Sequence, residues 1–132
     1  MKPLLANFQE PIYAAMRVVV GLLFACNGAQ KVFGAFGGDA VPPLSMPGAA
    51  GVIELFGGVL VLFGLFGPYA AFIASGEMAF AYFMVHFPRG FWPILNGGER
   101  AAFYCFIFLF IAARGSGIWS VDALMFHKKS SA

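Results

Sequence analysis

Charged residues are scarce in this chain of 132: eight Lys and Arg with six Asp and Glu, 11% in all, against 61% hydrophobic. Together with a mean hydropathy of +0.83, that scarcity excludes a soluble domain of this size, in which about a quarter of the residues would be charged. The chain reads as integral to a membrane. Its basic residues are dispersed and its net charge is only +2, so a nucleic-acid surface is excluded as well. Cysteine and histidine are sparse too. Cys26 and Cys105 form neither a Cys-x-x-Cys redox motif nor a zinc framework. His86 and His127 fall at opposite ends of the predicted bundle and cannot share a haem. Glu54, Glu99 and His86 lack any metal-ligand spacing, so no metal is expected.

Apolar length, by contrast, is abundant. Four runs, over residues 12–33, 47–66, 69–87 and 98–114, approach the ~17 to 25 residues that cross ~30 Å of hydrocarbon. The expected fold is all-α: a transmembrane four-helix bundle, one domain over residues 1–132, with a short interfacial segment at the C-terminus. The fourth run is short, about fifteen residues between Glu99 and Arg114, and needs a thinned bilayer, snorkelling ends or helical neighbours. The first, although Leu23-Phe24-Ala25-Cys26 vaguely resembles a lipoprotein cleavage box, is expected to be kept as a helix. Four spans place both termini on one side. That side collects Lys2, Arg17, Arg114, Lys128 and Lys129, the other Lys31, Arg89 and Arg100, so the positive-inside rule favours cytoplasmic termini in a bacterial inner membrane.

Three runs carry their ionisable residues on small-residue faces. At about 100° per residue, Arg17, Gly21, Phe24, Gly28 and Lys31 line one side of the first helix with Asn27 beside them, opposite Val19, Leu22, Cys26 and Phe33. In the second, Glu54 shares a face with Ala50, Gly51, Gly57, Gly58 and Val61, opposite Phe56, Val59, Leu60 and Phe63. In the third, Glu77 aligns with Ala70, Ile73, Ala74, Ala81 and Met84, opposite Phe72, Ala79 and Phe83. A carboxylate at mid-bilayer costs roughly 2.5 to 3.5 kcal/mol, so the repeated coincidence predicts a common polar interior. The phenylalanines are read as lipid-facing bulk. With Cys26 turned toward lipid, no disulfide to Cys105 is expected. The aromatic- and proline-rich stretch from His86 to Glu99 is expected to cap one end of the bundle, and residues 118–126 to form a short interfacial helix with Lys128 and Lys129 among headgroups.

Several stretches together resemble the DoxX family of small bacterial membrane proteins: Arg17-Val-Val-Val-Gly-Leu-Leu-Phe24 with Asn27-Gly28, Ile53-Glu-Leu-Phe-Gly-Gly58, Glu77-Met78 with Ala81-Tyr-Phe-Met-Val-His86, Asn96-Gly-Gly-Glu99 with Tyr104-Cys105, and Trp119-Ser-Val-Asp122. The resemblance spans most of the chain. It implies a four-helix membrane bundle and, because relatives include quinone-reducing thiosulfate oxidoreductase subunits, a redox role. Other relatives are parts of membrane redox complexes, and distant eukaryotic ones act in cargo transport or receptor assembly, so the resemblance implies fold more strongly than activity.

Two groups of residues are candidates for chemistry. Arg17 and Glu77 are roughly 4 to 5 Å apart in depth at 1.5 Å per residue. They are expected to form a buried charge pair, either fixing the register of the bundle or, through Glu77, relaying protons. The second group sits at the outer end. Glu54, Glu99 and His86 are the candidate catalytic residues, with His86 as proton donor. Asn27, Lys31, Tyr82, Asn96 and Trp92 are candidate ligand contacts, under a roof of Phe87, Phe91 and Trp92. A quinone ring held there by its carbonyls is the expected ligand, with no covalently bound cofactor; a polar helix-capping network is the structural alternative. His86 and Glu77 lie on opposite sides of their helix, so both face inward only if it unwinds near Pro88. Two other readings stay open: a non-catalytic accessory or assembly subunit, and a carrier of hydrophobic or phenolic compounds. The expected partners are membrane lipid and either a second copy in a homo-oligomer or a larger membrane redox complex.

Overall fold

The computed structural model describes residues 1–130. A 3₁₀ turn, Ala6–Phe8, leads into α1, Gln9–Phe33; α2 is Met46–Phe63; α3, Gly67–Ala81, runs on through a π-helical turn, Tyr82–His86, and a 3₁₀ turn, Phe87–Arg89; α4 is the short Pro93–Asn96; α5 is Glu99–Arg114 and α6 Val121–Ser130. Among the described residues there is no strand. Three helical stretches are long and apolar enough to cross a membrane, and the protein is a helical membrane bundle. The fourth expected span, α5, has 16 residues, about 24 Å at 1.5 Å per residue, short of ~30 Å. The expectation for Lys128 and Lys129, like the side chain of His127, lies outside the described side chains.

Local chemistry sets the helix ends. Gly34, at φ 70°, closes α1 with its N–H on the Ala29 and Gln30 carbonyls. Ser45 caps α2, its Oγ accepting from the Gly48 N–H at 3.1 Å, with Pro47 in the first turn. The start of α3 has no side-chain cap from its own neighbours. Asp122 supplies one from the other end of the chain: Oδ1 accepts from Phe66 N–H at 2.8 Å and Oδ2 from Gly67 N–H at 3.0 Å.

The helices pack in the order α1, α2, α3, α5, and aromatic contacts close the ring. Phe24 meets Tyr104 and Phe108 with ring centroids 5.2 and 4.6 Å away. The α1–α2 contact is backbone to backbone. A Cβ added to Gly28 would lie 2.2 Å from Leu55 N, and one on Gly58 2.4 Å from Ala25 N, so the small-residue faces expected in both helices are the contact itself. Val19, Leu22, Phe33, Phe56, Phe63, Phe72 and Phe83 face outward, as expected. α3 departs from its expected face. Its buried stripe is Ala70, Ala71, Ala74, Ser75 and Met78, while Ile73 and Met84 are exposed. The helix packs chiefly on α5, where Ser75 Oγ donates to the Cys105 carbonyl at 2.7 Å, and this turns Glu77 to the margin of the interface. Both cysteines are free.

Candidate functional site

Both termini lie at one end of the bundle, tied by an ion pair between Glu10 and Arg114 and by the Tyr13 hydroxyl donating to Gly115 O at 2.6 Å. Arg17, fully buried, organises that end. Nη1 donates to the Val61 and Leu62 carbonyls, both at 3.1 Å, and Nη2 to those of Ile118 and Trp119, at 3.4 and 2.7 Å. The expected Arg17–Glu77 pair is therefore corrected. The guanidinium takes carbonyls at the C-terminus of α2 and in the irregular link before α6, and Glu77 stands in a different layer with Lys31 and Glu54 as its charged neighbours.

At the far end, Lys31 Nζ meets Glu54 Oε1 at 2.6 Å. Glu54 is 1% exposed, and its second oxygen is buried without a hydrogen-bond partner. This carboxylate borders a chamber of about 240 Å3 inside the bundle, shared with Asn27, Lys31, His86, Arg100 and Tyr104. His86 lines it at the end of the π-turn, which inserts an extra residue and rephases the helix, whereas Glu77, at the margin of the α3 interface, is not among the residues around the chamber. Nδ1 of His86 lies 3.2 Å from the Asn96 carbonyl. A carbonyl only accepts, so Nδ1 carries the hydrogen and Nε2 is left as an acceptor.

Four other expected contacts fall elsewhere. Glu99 is exposed beside Pro93, Ala102 and Phe103, away from the chamber; one residue further along α5, about 100° of rotation, Arg100 takes the place. Asn96 is buried but spends its side chain on the loop, Nδ2 donating to Gly90 O at 2.9 Å and to the Tyr82 hydroxyl at 3.2 Å, Oδ1 accepting from Gly98 N–H at 2.8 Å. Tyr82 in turn donates to Phe91 O. Trp92 is 63% exposed, and the roof of Phe87, Phe91 and Trp92 instead forms an outward chain of edge-to-face rings suited to headgroups. Sequence reasoning missed Arg100 and Tyr104. The aromatics of α5 cover most of its circumference, so only contact with Phe24 shows which side is inner. Among the described residues no cluster of His, Cys, Asp or Glu could hold a metal ion.

The family model described as DoxX matches residues 12–87, which hold Arg17, Lys31, Glu54, Glu77 and His86. A protein of Haemophilus influenzae bearing the name "Uncharacterized protein" is 38% identical over 131 residues, covering 94% of this chain and 98% of its own length. No solved structure matches.

Proposed function

We propose, from the premise that this chain belongs to the DoxX family of membrane proteins, that it is a membrane redox component whose far-end chamber binds a quinone or quinone-like aromatic ring. One observation carries the reading: Glu54, whose Oε2 is buried and unpartnered, lines a cavity of about 240 Å3. An unmet buried acceptor costs about 1 to 3 kcal/mol, and a ring bearing a hydroxyl would meet it. The volume lies below the ~300 Å3 of ordinary ligand pockets and suits one ring, not a whole lipid.

A bound quinone would supply two-electron, two-proton redox chemistry. The chain's own residues would hold and ionise it. Arg100 and Lys31 present donors for a carbonyl, Glu54 Oε2 and His86 Nε2 present acceptors for a hydroxyl, and the Lys31–Glu54 bond keeps the carboxylate in place. In this reading electrons come from a larger redox complex in a bacterial inner membrane, with the termini cytoplasmic.

The test is organic extraction of the detergent-purified protein, with titration by menadione and its reduced form. Saturable binding is expected, weakened about tenfold in Glu54→Gln, which loses one charge-assisted bond of about 1.5 kcal/mol, and similarly in His86→Ala. No saturable binding by the wild type would reject the reading. Unchanged binding in both folded variants would reject the residue roles.

A further inference from the structure

A second cavity, of about 290 Å3, lies on the flank of the same layer, between the start of α2 and the latter half of α3. Met46, Ile53, Phe80 and Met84 contribute apolar walls, and among the described residues Glu77 is the only carboxylate in its lining. Met46, Phe80, Met84 and Val85 are exposed on the outside of the bundle, so the groove is open from the lipid side.

Its carboxylate is unpaired. Oε2 of Glu77 is buried with no hydrogen-bond partner. The other ionisable group of the groove, Lys31, has Nζ 2.6 Å from Glu54 Oε1. Arg100 belongs to the chamber and is exposed. Lys31 and the charge of Arg100 both act on Glu54, and among the described residues no cation forms an ion pair with Glu77. A bare carboxylate in an apolar wall is costly, and two things remove the cost: a proton, or a cation that brings its own apolar body. Phe80 lines the groove with an aromatic ring, a group that attracts cations, and Met46 and Met84 line it with polarisable, adaptable side chains.

We propose that this groove binds a small amphipathic cation, of the alkyl- or benzylammonium class, with its charge on Glu77 and its apolar body against Ile53, Phe80 and the two methionines. Binding exchanges with the proton on Glu77: the O–H bond of the carboxylic acid breaks, the proton leaves to solvent, and the carboxylate pairs with the cation. The groove shares Lys31, Ala81 and Val85 with the Glu54 chamber but has its own carboxylate, and cation binding there does not depend on quinone.

The experiment is calorimetric titration of the full chain in detergent with benzyltrimethylammonium, in two buffers of different ionisation enthalpy. Saturable binding with about one proton released is expected where Glu77 starts protonated, with apparent affinity rising up to tenfold per pH unit there. Glu77→Gln keeps the shape, removes the charge, and should weaken binding at least tenfold. Ala50→Leu, which fills the groove and leaves Glu77 intact, should do the same and covers the case in which the first variant fails to fold. Absence of saturable binding, undiminished affinity in either folded variant, or equally tight binding of neopentylbenzene, the uncharged isostere, would overturn the proposal.

Discussion

Arg17 and Glu54 are both buried ions, and they meet the same desolvation problem in different ways. Arg17 spreads its charge over four backbone carbonyls from two segments, leaving only Nε without a partner. Those carbonyls belong to a strained place: Trp119, just before α6, sits at φ 56°, which costs a non-glycine residue about 1 to 3 kcal/mol. Lysine, a compact donor, cannot serve both segments at once. Arg17→Lys should therefore lose about 3 kcal/mol of stability, from bonds to a charged group worth about 1.5 to 3 kcal/mol each, read by chemical denaturation in detergent. Glu77→Gln, in another layer, should change stability by less than about 1 kcal/mol. A double-mutant cycle of the two should show coupling below about 0.5 kcal/mol; a larger value would restore the direct pair suggested by their similar depth.

Helix contacts and caps make predictions at the next scale. Gly28 packs on the backbone of Leu55 and Gly58 on that of Ala25, so Gly28→Ala must push α1 and α2 apart and should cost about 1 to 3 kcal/mol or more. Gly76, in α3, has nothing within 4 Å of where a Cβ would stand. Gly76→Ala should leave stability unchanged or raise it by about 0.5 to 1 kcal/mol, and thermal melts of both variants check the contrast. Asp122, beyond the spans, couples α6 to α3. Burial raises its carboxyl, but bonds from Ser116 Oγ and the Gly67 and Phe66 N–H groups, with the Arg17 charge, outweigh this and hold it below the ordinary carboxylate range. A folded-state value below the unfolded one contributes stability that is complete above about pH 4 and is lost as pH falls through the folded value. Melting below pH 4 should therefore be steeper in wild type than in Asp122→Ala, which should cost about 0.5 to 2 kcal/mol at neutral pH as a lost cap.

For the whole molecule, α1, α2, α3 and α5 bring both termini to one end, with the loops at residues 34–45 and 90–98 at the other. Topology reporters fused at either terminus should report one compartment, and a reporter inserted in either far loop the opposite one; a split between the termini would reject the bundle. Membrane residence, the all-helical fold and the lipid-facing sides of α1 and α2 were legible in the sequence, because lipid imposes one simple condition on every exposed residue and period 3.6 repeats it along each helix. The presence of buried charge was legible for the same reason: Lys31, Glu54 and Glu77 stand out against apolar neighbours. Their partners were not. Which carboxylate Lys31 takes, that Arg17 binds carbonyls, that Asp122 caps a helix 55 residues away, and that Arg100 enters the chamber in place of Glu99 all depend on a rotation or an offset of one residue. Only the packing of several helices at once decides such a rotation, since a turn of about 100° costs little in an isolated helix and moves a charge from one cavity to another.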